Sequence, residues 1–156
     1  MRFAIAVAAL LCATRVWAGD VSVSGAWARA TAPGQSSGMV QFVISSQQEA
    51  SLVGVSSPAA GAAEMHSMTH ENGMMKMRPI KALSLPAGKP VDLAASGEHV
   101  MLLKLKHPLK EGDTVPLTLT IQFADKHKET VNVKAEIRPL TASSDMHDHD
   151  DHHDHH

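Results

Sequence analysis

Glu64-Met65-His66-Ser67-Met68-Thr69-His70, then Glu71-Asn72-Gly73, then Met74-Met75-Lys76-Met77-Arg78-Pro79-Ile80 read as two short strands around a tight turn. An Asn-Gly pair tolerates positive φ at little cost, which marks a hairpin. Outward from this hairpin the same signature repeats. Val21 to Arg29 opens with Val21 and Val23 alternating with Ser22 and Ser24. Met39 to Ser45, Ala50 to Ser57, Val91 to Leu93, His99 to Leu105, Val115 to Phe123 and Thr130 to Ile137 are further β-rich runs. Between them lie turn segments: Thr31 to Gly38, Leu85 to Pro90, Pro108 to Gly112 and Asp125 to Lys128, with Pro58 to Ala63 as a small-residue linker. No window has a convincing helical period. Many short strands with turn chemistry between them predict an all-β antiparallel sandwich or barrel.

The chain has 156 residues, enough for one domain with its own core. Aromatic content is only 3%, so that core must rest on aliphatic side chains and methionine. Net charge is −2 with histidine neutral, and no basic stripe interleaved with aromatics occurs. That argues against a nucleic-acid partner and against an anionic membrane surface. Met1-Arg2 followed by the apolar run Phe3 to Ala13 and by Val16-Trp17-Ala18 reads as a secretory signal peptide, residues 1–18, cleaved after Ala18. Export to the periplasm is the expectation. The single cysteine, Cys12, lies inside this leader behind Leu11, where a lipid-modified cysteine needs a small residue. No membrane anchor is therefore expected. A mature chain without thiol has no disulfide, no thiolate nucleophile and no blue-copper site. No coupled nucleophile and base can be recognised either, so an enzyme is not expected.

Histidine and methionine crowd between Glu64 and Met101, with no cysteine among them. Imidazole nitrogen with thioether sulfur is a soft donor set; it suits Cu(I) and has little affinity for Mg²⁺ or Ca²⁺. Residues two apart on a strand share a face, so His99 and Met101 project together. The hairpin at Asn72-Gly73 brings its arms close, so His66 can lie near Met77. These four neutral donors would complete a tetrahedral site for a d¹⁰ ion and leave its single charge in place. Each residue alone has a plainer reading. Met101 on a strand can be core filler, and His66 or His99 alone can be a hydrogen-bonded structural histidine. Met65, Met68, Met74 and Met75 read as packing or exposed edge more readily than as a thioether rim. His70 is a possible outer ligand but reads more readily as a surface residue, His107 and His127 sit at turns and read as solvated, and Trp27 reads as a cover for the core more readily than for the site.

The spacing His66, ten residues, Met77, twenty-one residues, His99, one residue, Met101 resembles the copper motif of the periplasmic PCu(A)C copper chaperones. Ala26-Trp27-Ala28-Arg29-Ala30-Thr31 with Pro33-Gly34, Ser56-Ser57-Pro58, Met75-Lys76-Met77-Arg78-Pro79, Pro86-Ala87-Gly88 and Leu109-Lys110-Glu111-Gly112-Asp113 resemble that family as well. The resemblance covers Val21 to Pro139. It implies a cupredoxin-like Greek-key β-barrel over residues 19–140, with Cu(I) held by His66, Met77, His99 and Met101. It further implies delivery toward the Cu(A) centre in subunit II of cytochrome c oxidase, alongside a Sco-type copper protein. A monomer is expected.

Composition changes abruptly after Pro139. Residues 141–156 are polar and have no apolar cluster to offset the entropy of ordering, which predicts a disordered tail. Met146, His147, His149, His152, His153, His155 and His156 alternate there with aspartates. Carboxylate with imidazole favours a borderline divalent ion, Cu(II) or Zn²⁺. If the tail dominated, the chain would be a copper or zinc buffer or scavenger instead of a chaperone.

Overall fold

The structure, a computed structural model, describes residues 16–141. In chain order these form β1 (Val16–Ala18), β2 (Val21–Arg29), β3 (Gly38–Ser46), β4 (Ala50–Ser56), β5 (Ala60–Glu71), β6 (Met74–Ile80), β7 (Leu83–Leu85) and β8 (Val91–Asp92). There follow a helical turn α1 (Leu93–Ser96), then β9 (Glu98–Leu105), β10 (Thr114–Phe123) and β11 (Lys128–Arg138). The fold is all-β, as the alternating runs predict. Residues 1–15 of the expected leader lie outside the described residues. So do the tail ligands Met146, His147, His149, His152, His153, His155 and His156.

The strands form one sheet in the order β6-β5-β9-β3-β2-β11-β10-β4-β7, with β1 paired to β2 and β8 to β3. Neighbours run antiparallel except β11 and β2, which are parallel through Glu136, Ile137 and Arg138. A parallel bridge from Ser46 to Ala87, and a 2.7 Å bond donated by the Gly88 N–H to the Ser46 carbonyl, tie the chain beyond β7 back to β3. The sheet thus curls around a single core in a Greek-key order.

Period-two burial drives this curl. Val40, Phe42 and Ile44 on β3, Leu117, Leu119 and Ile121 on β10, and Val131, Val133 and Ala135 on β11 point inward and are buried. On β2 the inward set changes phase, from Val21 and Val23 to Ala28. The register shift between Ser24 and Trp27 absorbs the extra residue, and Gly25 at φ 60 supplies the bulge conformation. Trp27 consequently leaves the core. It is half-buried, opposite Gln41, with the Arg138 guanidinium 5.1 Å from its ring centroid.

Three local expectations are corrected. Ala60 to Ala63 belong to β5 and not to a linker, because β9 offers them a partner: Ala60 pairs with Leu105 and Ala62 with Leu103. Small residues fit there; a Cβ on Gly61 would stand 3.0 Å from the Lys104 Cβ. Leu83–Leu85 forms β7 by pairing with Ala50 to Leu52 of β4. Leu93 starts a single helical turn instead of ending a strand. The Asp92 side chain caps it by accepting the Ala94 N–H at 3.0 Å, and Gly97 at φ 82 ends it. One turn is too short to show a period.

His127, expected to be a solvated turn histidine, is exposed but engaged. Its ring stacks on Phe123 at 4.5 Å, and its Nδ1 is hydrogen-bonded to Asp125. That bond raises the His127 pKa above its ordinary value, with Glu129 adding to the effect, and Asp125 is held low by the same contact. A raised imidazole pKa gives stabilisation that is complete below the ordinary histidine value and lost as pH rises through the higher one. In an NMR titration His127 should therefore lose its proton above the ordinary histidine value, and Asp125→Asn should bring its midpoint back down.

Candidate metal centre

The site rests on the three-stranded ribbon β6-β5-β9. Directly opposed residues in an antiparallel pair share a face, as do residues two apart on one strand. Met65 of β5 pairs with Val100 of β9, and both are buried on the core side. His66 and His99, one residue along on each strand, must then lie on the other face, and they pair directly. Their rings stand 5.5 Å apart, edge to face. Met101 follows on the His99 face, opposite Glu64 on one side and Met39 of β3 on the other.

Met77 arrives from β6. Asn72 and Gly73 both have positive φ, 51 and 76, as a two-residue hairpin requires. The resulting register sets His66 opposite Pro79 and Met77 opposite Met68. Met77 thus reaches His66 along a diagonal, a separation long side chains can bridge. Pro79 is tolerated because β6 ends the sheet. All four residues singled out by spacing, His66, Met77, His99 and Met101, therefore occupy one face. Two are adjacent across the ladder, one follows on the same strand, and Met77 lies at the exposed margin.

The hydrogen bonds of the two rings say what the face lacks. His66 Nε2 is 2.9 Å from a Glu64 carboxylate oxygen, so that nitrogen carries the proton and donates. The tautomer this selects leaves Nδ1 with a lone pair. His66 Nδ1 and His99 Nε2 are both buried side-chain nitrogens with no hydrogen-bond partner. A buried polar atom left unpaired costs about 1–3 kcal/mol. His99 is only 3% exposed, and burial, with His66 as a second cause, pushes its pKa down. The ring is therefore neutral at pH 7 and offers a lone pair.

Two unpartnered imidazole nitrogens beside thioether sulfurs form a donor set that fits Cu(I). Among the described residues no three His, Cys, Asp or Glu side chains converge on a common metal position. Further soft donors on this face are the thioethers of Met77 and Met101. Two further residues on this face, Glu64 and Met39, lie outside the four-residue spacing. Glu64 fixes the His66 tautomer, and its signal was legible as Glu-x-His on a strand. Met39 faces Met101 from a distant strand, and nothing local in its sequence announces that.

A curled all-β domain with imidazole and thioether donors on one strand face is the class of protein this structure defines. The LpqE-like lipoprotein family model matches residues 21–135, and the chain belongs to that PCu(A)C-type family. It is 33% identical over 117 residues to a protein of Leifsonia xyli subsp. xyli named provisionally as a lipoprotein, covering 74% of this chain and 69% of that one. The solution structure of apo-DR1885 from Deinococcus radiodurans is similar, with TM-score 0.56, 31% identity and coverage of 89% of this chain and 92% of that one. Its Cu(I) form matches at TM-score 0.56 and 34% identity, covering 73% and 75%. The apo PCuAC domain from PmoF1 shares the fold at TM-score 0.63 and 23% identity, covering 81% of this chain and 99% of that domain.

Proposed function

We propose that this chain is an exported copper chaperone that carries Cu(I) on His66, Met77, His99 and Met101 and hands it on by ligand exchange. The observation that carries this reading is the pair of buried, unpartnered nitrogens, His66 Nδ1 and His99 Nε2, on the face that also presents Met77 and Met101. The Cu(I) form of a Deinococcus radiodurans relative, 34% identical, supports it. Neutral donors hold a monovalent ion without the strong bond of a thiolate. Met77 is 53% exposed and His99 is buried, so the ion sits with its methionine side toward solvent. An acceptor's ligand displaces Met77 first, and the histidines release last. The chain acts as a carrier and not as an enzyme. Delivery runs toward the Cu(A) centre of cytochrome c oxidase subunit II, with a Sco-type protein alongside.

An anaerobic Cu(I) titration followed by X-ray absorption tests the site. With the tail removed, the first equivalent of Cu(I) should bind with mixed sulfur and nitrogen neighbours. Oxygen-only or nitrogen-only scattering would reject the site. Residues 145–156 bind a second copper as Cu(II) in this reading. Their deletion should lower Cu(II) stoichiometry and leave Cu(I) stoichiometry at the barrel unchanged. If all copper binding left with the tail, the buffer reading would replace the chaperone.

Export is supported by kinship to a lipoprotein family. Among the described residues no helix is long and apolar enough to cross a membrane. Cleavage after Ala18 removes β1, whose three residues pair with Val21 to Val23. Mass spectrometry of the secreted protein should find Gly19 at the N-terminus. A mass carrying acyl chains on Cys12 would show anchoring instead.

A further inference from the structure

We propose that the β5-β6 hairpin carries a second, outer Cu(I) site built from Met68, His70 and Met75, one step further from the barrel than the inner site and resting on the chaperone reading. The register puts these donors in rows. Met68 lies opposite Met77, and His70 lies opposite Met75. Both rows continue the face that holds His66 and His99, because 66, 68 and 70 alternate on β5. On the β9 side Met68 meets the backbone of Gly97, where its N–H donates to the Gly97 carbonyl at 2.9 Å. Gly97, being glycine, places no side chain beside the row at that point. Directly opposed pairs bring their Cβ atoms within about 4.5–5.5 Å, and the diagonals remain within reach of long side chains. Met68, His70 and Met75 thus span one ion with a soft S₂N set.

Packing does not account for these side chains. Met68, Met74, Met75 and Met77 are exposed, and Leu140 is the one other large apolar residue so exposed among the described residues. Met65 shows what a core methionine looks like in the same strand, and it is buried. His70 makes no side-chain hydrogen bond or ion pair among the described residues. The reverse face of the hairpin is built differently. There Arg78 donates to both Glu71 carboxylate oxygens at 2.7 Å, and Lys76 stands 3.4 Å from Glu71. One face carries paired charge with Met74 as its single exposed methionine, and the other presents three thioethers and a free imidazole to water. Exposed apolar surface on a hairpin carries a solubility cost, and soft-metal capture accounts for it on that face alone.

Met77 belongs to both rows, as the shared margin of the inner site and the cross-strand partner of Met68. Its swing between the two passes the ion inward without release to water. No bond changes order and no electron moves; one sulfur or nitrogen donor replaces another on a Cu(I) that stays monovalent.

Methionine-methyl and histidine NMR of the full chain, titrated anaerobically with Cu(I), separates the two sites. The first equivalent should move the methyls of Met77 and Met101 with the His66 and His99 rings. A later equivalent should move Met68, Met75 and His70, apart from any shift of Met146 in the tail. His70→Asn with Met75→Leu should weaken that later event by about tenfold or more and change the first by less than about threefold. Both positions are exposed, so this variant folds. Unmoved Met68 and Met75 methyls at excess Cu(I), with the inner signals shifted, would overturn the outer site alone. Unmoved Met77 and Met101 methyls would overturn both readings.

Discussion

His99→Ala lowers Cu(I) affinity by about a hundredfold or more, read by competition with a Cu(I) chelator. His99 is the donor the fold holds hardest. Its neighbours Val100 and Leu102 are core residues, so its backbone is fixed by the barrel. Its Nε2 is already stripped of water and partners, and the ion meets no desolvation cost there. Met77→Leu should cost less, about tenfold, because an exposed side chain must be ordered before it can bind. Met74→Leu should change affinity by less than about threefold. Met74 pairs with Glu71 on the charged face and cannot reach the rings. The apo fold should barely notice His99→Ala: the lost packing is offset in part by removal of an unsatisfied buried nitrogen, worth about 1–3 kcal/mol. Wild-type affinity in His99→Ala, with unchanged nitrogen scattering, would remove this face from copper binding.

Much of this site was legible because strand geometry is simple. Two-residue spacing alone puts His99 beside Met101, and Asn72-Gly73 alone predicts the turn that brings β6 to β5. What could not be read is register. His66 faces Pro79 and not Met77, a two-residue offset set by where the turn begins. Met39 meets Met101 only because β3 happens to flank β9, a choice made by global topology. The same division runs through the fold. The long alternations of β3, β10 and β11 announce themselves, since each buries one whole face. Leu83–Leu85 and Ala60 to Ala63 do not, because their strand state is conferred by partners and not by their own propensity. The α1 turn depends on one Asp92 cap and one Gly97, a signal of two residues inside a segment that otherwise reads as strand end.

Leu119→Ala should produce the opposite pattern to His99→Ala: a large loss of stability with copper binding kept. Leu119 is fully buried at the middle of β10, paired with Val131 on one side and Val55 on the other. Truncating such a side chain costs about 2–5 kcal/mol, from lost transfer energy and the cavity left behind. Domains of this size are stable by only about 5–15 kcal/mol, so the melting temperature should fall by roughly 10 °C or more. Leu119 belongs to the β4-β10-β11 side of the sheet, four strands from β9 in the pairing order. The rings of His66 and His99 should not move, and Cu(I) affinity measured well below the transition should stay within about threefold of wild type. Saturating Cu(I) should also raise the melting temperature of Leu119→Ala, because the ion binds only the folded chain. His99→Ala should gain much less from the same addition. If Leu119→Ala lost Cu(I) affinity in proportion to its stability, the donor face would not be held by the β9 side of the barrel independently of β10, and the separation of scaffold from site argued from the strand order would fail.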